Sequence, residues 1–407
     1  MGMELVLFDL DDTLIRTDDL ERFRGSARVG QQPPEYATEL TREYLSVFGR
    51  HFYTLAHLNE LKAQNPGMRL GVFTRSPRQY ALALLGLAYP GFDWDIVVAY
   101  GDVARTKPYG DGITHAMRTF GISDSFRVTM VGDNKVDLQA AYHAGCWIVL
   151  DRASWPRPWV SENYRALERV PDAVISSPAE LARFLADPLE FLPELESAGW
   201  APAPRACGHY RDAKANYFNP LTPDVRRPVP IHFMGRFFTQ ESPARASWHQ
   251  LNEEVIRLKE SLVFPAHWID SIRAFLESLV VVQFGGGVVV TVVPAKPGRQ
   301  PRLESLLQQL AQSQVWSPDM EFIPDLMSYR IGVRSHSGEH LNKEERFQNV
   351  RDCLQVNGAQ RIAQKQVVVI DDVVTTGASL IYAKIYLESA GASEVTCLSM
   401  AKAINGQ

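Results

Sequence analysis

Residues 367–379 read V-V-V-I-D-D-V-V-T-T-G-A-S. A run of β-branched residues enters two adjacent acids, and a Thr-Thr-Gly-Ala-Ser turn then leads into a helical pattern. A short apolar run bounded in this way reads as a strand buried in a sheet. The helix start that follows presents free backbone N–H groups, which hold a phosphate dianion. The paired carboxylates of Asp371 and Asp372 can accept hydrogen bonds from vicinal ribose hydroxyls. Strand, acidic pair and hydroxyl-rich loop together make a grip for a ribose phosphate. The acidic pair alone has a plainer reading, as a cap on the turn that follows it.

Outward from this stretch, the pattern predicts a strand over 288–293, a helix over 302–312, the strand 367–371, a helix over 379–390 and a strand over 394–400. This α/β unit begins near Pro230. The first part of the chain repeats the rhythm, with strands expected at 4–8, 69–73, 96–99, 127–131 and 147–150. Helical patterns at 76–87 and 136–144 fall between them, and 173–186 reads as a last short strand with a closing helix. Alternation of this kind is that of a doubly wound parallel sheet. Prolines at 188, 193, 202, 204, 220, 223 and 228 mark the stretch between the two as a linker or irregular arm. The expected organisation is therefore 1–187, an arm over 188–229, and 230–407: two doubly wound parallel-sheet domains of the α/β class.

The chain opens with a second phosphate-handling pattern. Val6-Leu7-Phe8-Asp9-Leu10-Asp11-Asp12-Thr13-Leu14 puts Asp9 just past a buried strand, with Asp11 two residues on. The C-terminal ends of strands are where chemistry sits in such sheets. Two carboxylates there suit a magnesium ion and a nucleophile paired with an acid/base. Asp12 reads as a helix-start residue. Further along, Gly71-Val72-Phe73-Thr74 ends a strand in a hydroxyl, Thr106-Lys107-Pro108 supplies a lysine, and Val131-Gly132-Asp133 ends a strand in a third acid, with Asp137 four residues beyond.

These four segments, in this order, resemble the motif set of haloacid-dehalogenase-type phosphatases over roughly residues 3–187. The resemblance implies that Asp9 attacks phosphorus to form an aspartyl-phosphate and that Asp11 protonates the leaving oxygen, then activates water. It implies that Asp9, the backbone carbonyl of Asp11, and Asp133 hold Mg²⁺, with Asp137 supporting that site, and that Thr74 and Lys107 hold the phosphoryl oxygens. A small helical insert at most fits between Leu14 and Gly71, so the site is expected to be open.

The 367–379 stretch closely resembles the 5-phosphoribosyl-1-diphosphate motif of type I phosphoribosyltransferases, and the likeness extends over about 230–403. It implies that fold, with Asp371 and Asp372 on the ribose hydroxyls and Thr375, Thr376, Gly377, Ala378 and Ser379 around the 5′-phosphate. It further implies Lys296, in the basic loop after 292–293, on the diphosphate, with Mg²⁺ bridging. The run Leu341-Asn342-Lys343-Glu344-Glu345-Arg346 resembles the competence-protein ComF branch, although Gly338 stands where that branch carries glutamine and no cysteine-rich finger precedes it. Residues 328–350, with Arg330, Arg334, His336, Lys343 and Arg346, read as a loop able to close over a diphosphate.

Composition narrows the partners. A formal charge of −5 weighs against a strongly basic nucleic-acid binder. Four cysteines without a C-x-x-C pair fit a reducing cytoplasm. The most apolar window, 279–293, holds Gln283 and three glycines and is too short for a membrane span. The expected ligands are a small phosphorylated molecule and 5-phosphoribosyl-1-diphosphate, while the oligomeric state, homo-oligomer included, stays open. The expected function is bifunctional: phosphoribosyl transfer to or from a base-like acceptor, coupled to Mg²⁺-dependent phosphomonoester hydrolysis. The alternative is a nucleic-acid end-processing or stress-response phosphatase with a ligand-sensing second domain.

Overall fold

The protein is represented by a computed structural model that describes residues 2–28, 35–155, 161–198, 216–218, 227–280, 287–334 and 341–404. The chain forms two compact units, one built from Met1–Phe191 with Phe238–Trp248, the other from Leu192–Phe237 with His249–Ile404.

The first unit holds a six-stranded sheet made of β1 (Leu5–Phe8), β2 (Arg69–Pro77), β3 (Ile96–Tyr100), β4 (Val128–Gly132), β5 (Trp147–Asp151) and β6 (Ala173–Ile175). The order is β3-β2-β1-β4-β5-β6, and every pairing is parallel. β1, β4 and β5 are buried throughout, as expected for strands covered on both faces. Order reverses at β1, so the ends of β1, β2 and β4 lie side by side and leave a crevice between them. Phe8 pairs with Val72 on one side and Val131 on the other, which brings Asp9, Thr74 and Asp133 to one edge of the sheet. β2 runs past the expected end at Phe73, with a register shift before Pro77. The segment after β1 carries helices Glu21–Arg28 and Tyr36–Ser46.

Residues 238–248 pack with the first unit although the pattern assigns them to the second. Their anchor is Arg245, fully buried and ion-paired with buried Asp172. It also donates to the Cys146 carbonyl at 3.0 Å. Its guanidinium carbon lies 4.0 Å from the Trp248 ring centroid and 4.8 Å from that of Trp147. Periodicity cannot reveal such an anchor, because a lone arginine in a turn reads as solvated. Arg245→Met would remove the charge that Arg245 brings to buried Asp172, and breaking a buried pair in this way costs about 3–5 kcal/mol. Denaturant unfolding followed through Trp147 and Trp248 should show that loss, and an unchanged midpoint would contradict it.

The second unit holds a larger sheet of β7 (Asn216–Phe218), β8 (Val229–Phe233), β10 (Val288–Val292), β11 (Met320–Phe322), β14 (Gln366–Val374) and β15 (Glu394–Ile404), ordered β11-β10-β14-β15-β8-β7, with β9 (Arg236–Phe238) also paired to β15. Pairings are parallel from β11 through β8, and β7 runs antiparallel to β8. The helices Arg302–Gln312 and Ala378–Ser389 follow β10 and β14, as expected.

The stretch read as a linker or irregular arm contributes β7 and the helix Glu194–Ala198 to this unit, where the Leu195 N–H donates to Met234 O at 3.0 Å. Buried Glu196 pairs with buried Arg236, which a proline-rich pattern does not disclose. The stretch read as one closing loop contains β12 (Met327–Tyr329), antiparallel to β13 (Leu354–Val356), and a helix, Lys343–Cys353. That helix is started by a reciprocal Asn342–Glu345 capping box and held by buried Phe347 and Val350. His336 lies outside the described residues. Among those described, no helix is long and apolar enough to cross a membrane.

Candidate active site

At the first unit's sheet edge, Asp9 continues the ladder of β1, its N–H donating to Val131 O at 2.8 Å. Lys107 Nζ sits 2.8 Å from Asp9 Oδ1 and 2.6 Å from Asp137 Oδ1, and the lysine is only 2% exposed. The Leu10 N–H also donates to Asp9 Oδ1. Oδ2 of Asp9 is therefore the oxygen without a described partner.

Carboxylate oxygens of Asp9, Asp133 and Asp137 lie within 4.8 Å of one another. Asp137 reaches this point because residue 132 is glycine: a Cβ there would sit 2.3 Å from the Asp137 carboxyl carbon. Asp137 also caps its own helix, its Oδ2 accepting from the Asn134 N–H at 3.0 Å. Thr13 Oγ1 donates to Asp133 Oδ1 at 3.2 Å.

Electrostatics follow from this crowding. Burial, then the charges of Asp137 and Asp9, holds the Asp133 carboxyl well above the usual range. Burial raises Asp137 to about 6, against the pull of Lys107. For Lys107, burial alone would lower the pKa, but Asp137 and Asp9 outweigh it and keep the ammonium charged. Three acids facing one lysine leave an excess of negative charge, and an all-oxygen donor set of this kind fits Mg²⁺.

Asp11 is not part of that cluster. Its carboxylate accepts from Ser76 Oγ and, at 3.1 Å, from Tyr80 OH, with Arg24 Nη1 3.9 Å away. Its pKa is raised by burial, with Arg24 and Ser76 pulling the other way. Among the expected metal residues, then, the side chains of Asp9, Asp133 and Asp137 gather, and that of Asp11 turns elsewhere. Thr74 is buried, its Oγ1 accepting from the Ser76 N–H at 3.0 Å. Asp12 does not start a helix. It sits in a turn at φ 58°, its carboxylate accepting from the Thr17 N–H at 3.0 Å.

In the second unit a cavity of about 530 Å³ opens at the C-terminal ends of β10 and β14. Lys296, Asp371, Asp372, Thr375, Thr376, Gly377, Ala378 and Ser379 all line it. Gly377 has φ 79° and opens the helix Ala378–Ser389, and a Cβ on it would press Phe218 at 3.0 Å and Ile231 at 3.1 Å. Burial, then the neighbouring Asp372 charge, pushes the Asp371 carboxyl well above its ordinary value. Lys296 Nζ donates to Arg334 O at 2.7 Å.

Arg302, Glu304 and Tyr329 also line the cavity. The Arg302 guanidinium holds Asp372 Oδ2 at 3.0 Å, and Glu304 accepts from the Ala295 N–H at 2.7 Å. Burial raises Tyr329 to about 12, partly offset by its hydrogen bond with Ser379. Sequence reasoning missed these three. Only the position of Arg302, at the start of the helix after the Lys296 loop, could have signalled one of them.

The family model for haloacid dehalogenase-like hydrolases matches residues 20–150, a span that includes Thr74, Lys107, Asp133 and Asp137. A plasmid-encoded phosphoglycolate phosphatase of Cupriavidus necator is 33% identical over 92 residues, covering 23% of this chain and 39% of that protein. The phosphoglycolate phosphatase of Shigella boydii is 30% identical over 111 residues, covering 27% of this chain and 42% of that protein. The pyrophosphatase PpaX of Halalkalibacterium halodurans is 28% identical over 180 residues, covering 36% and 81%. The chain thus spans about two fifths of the length of the two phosphoglycolate phosphatases. Among solved structures, CbbY of Rhodobacter sphaeroides in complex with phosphate is similar at 22% identity and a TM-score of 0.32, covering 44% of this chain and 96% of that one. The family match supports a haloacid dehalogenase-like hydrolase domain within the first unit.

Proposed function

We propose that the first unit hydrolyses phosphomonoesters with Mg²⁺ through an aspartyl-phosphate on Asp9. The second unit, on this reading, binds 5-phosphoribosyl-1-diphosphate and exchanges its diphosphate for a base-like acceptor. The observation that carries the first half is Lys107, a buried ammonium bridging Asp9 and Asp137 beside Asp133. A phosphoryl dianion repels a carboxylate nucleophile, and positive charge fixed beforehand at that point offsets the repulsion. Mg²⁺ held by Asp9 and Asp133, with Asp137 in support, would supply the remaining charge on the phosphoryl oxygens. Lys107 engages Oδ1 of Asp9, which leaves Oδ2 to attack, and the Thr74 hydroxyl can donate to a phosphoryl oxygen.

The second half is supported by the convergence of an acidic pair, a basic loop and a helix start on one cavity. Charge beside the ring suits an oxocarbenium-like transition state at the anomeric carbon. A transferase product keeps its 5′-phosphate, which the first unit could then remove, so transfer followed by hydrolysis on one metabolite is the coupled reading. Full-length protein should release phosphate from a panel of phosphomonoesters with Mg²⁺ and stop in excess chelator. With 5-phosphoribosyl-1-diphosphate and a panel of bases, mass spectrometry should find a nucleoside-like product. No phosphate release from any monoester sinks the first half, and no adduct with any base sinks the transfer.

A further inference from the structure

Two hydroxyls donate to the Asp11 carboxylate, with Arg24 Nη1 3.9 Å away. Ser76 Oγ donates to its Oδ2 and Tyr80 OH to its Oδ1. Ser76 lies near the end of β2 and is itself tied to Thr74 through its N–H. Tyr80, in the first turn of the helix Arg78–Ala88, is fully buried. A free aspartate side chain has two soft torsions, and donors from two rigid elements, one on each oxygen, remove both. The Asp11 carboxylate is not among the gathered oxygens of Asp9, Asp133 and Asp137.

We propose that Ser76 and Tyr80 are positioning residues that fix Asp11 as the proton carrier of the first site. The inference rests on the phosphomonoesterase reading above. In the first step an Asp9 oxygen bonds to phosphorus while the bond from phosphorus to the ester oxygen breaks. The electron pair stays on that oxygen, which takes the Asp11 proton and leaves as an alcohol. In the second step water returns a proton to Asp11, its oxygen bonds to phosphorus, and the bond from phosphorus to Asp9 breaks.

A misdirected Asp11 should therefore harm substrates according to how badly their leaving oxygen needs a proton. Glycerol phosphate needs one, since an alkoxide is a poor leaving group, whereas nitrophenyl phosphate leaves as a stable phenolate. kcat/KM reports the steps up to departure of the alcohol, so slow hydrolysis of the aspartyl-phosphate does not mask the effect. The ratio of two kcat/KM values is also independent of how much of a variant is folded.

In full-length Ser76→Ala/Tyr80→Phe with Mg²⁺, the ratio of kcat/KM for nitrophenyl phosphate to that for glycerol phosphate should rise roughly tenfold or more, because general acid catalysis is lost on one substrate only. Ser76→Thr, which keeps the hydroxyl, should hold the ratio near that of the wild type. An unchanged ratio in the double variant means the two residues only support packing, and overturns the inference. A wild type that releases phosphate from neither ester removes the phosphatase reading itself, and this inference with it.

Discussion

Asp9→Asn should abolish phosphate release by the full-length protein while leaving it folded. The substitution keeps the shape of the side chain and removes the carboxylate that, on the proposed function, attacks phosphorus. Loss of a nucleophile in a preorganised site costs on the order of 10³–10⁶ in kcat. Stability should change little by comparison, because Lys107 keeps its 2.6 Å partner in Asp137 and its charge is not orphaned. The contrast with Asp137→Asn is informative, since an amide offers one oxygen where Asp137 uses two, one toward the buried lysine and one toward the Asn134 N–H. Malachite-green phosphate detection on both variants, with thermal unfolding alongside, checks the point. Turnover by Asp9→Asn within tenfold of the wild type would rule out an aspartyl-phosphate at this residue.

What could be read ahead of the structure follows from where the information lies. Strands such as β1, β4 and β10 announce themselves because burial on both faces demands an unbroken apolar run, and their ends were expected to within a residue or two. Asp371 and Asp372 lie inside β14, which runs on to Val374, but the places of Asp9 and Asp133 at the ends of β1 and β4 were legible for a related reason. An acid directly after such a run has no place in the core and must sit at the edge of the sheet.

The partners of these acids were not legible. Ser76 and Tyr80 meet Asp11 across more than sixty positions of chain, and nothing local to either one marks them. Arg302 reaches Asp372 across seventy. Arg245 is the sharpest case, since its burial depends on a pocket of Tyr142, Trp147, Phe238 and Trp248 assembled from separate parts of the first unit. Local pattern reports which face of an element is buried. It does not report which distant side chain completes a charge.

Changing both Asp371 and Asp372 to Asn should weaken binding of 5-phosphoribosyl-1-diphosphate severely and leave phosphomonoester hydrolysis intact. The acidic pair is crowded: the Asp372 N–H donates to Asp371 Oδ1 at 2.9 Å, the Val373 N–H donates to Asp372 Oδ1 at 2.6 Å, and Arg302 holds Asp372 Oδ2. Ribose hydroxyls would compete for the remaining lone pairs, and Arg302 would have to share Asp372 or swing toward the diphosphate. Charge-assisted hydrogen bonds contribute about 1.5–3 kcal/mol each. Losing two should weaken binding by roughly 10²–10⁴-fold. Titration calorimetry with Mg²⁺ measures this directly on wild type and variant. The Asn side chains keep volume and much of the hydrogen bonding, so a loss of this size would come from charge and not from collapse of the cavity. Arg302→Met separates the remaining possibilities: tighter binding would mark the arginine as a competitor for the pair, and weaker binding as a ligand of the diphosphate. Wild-type protein that gives no heat and no thermal shift with 5-phosphoribosyl-1-diphosphate would remove the transferase reading and leave the cavity without a ligand class.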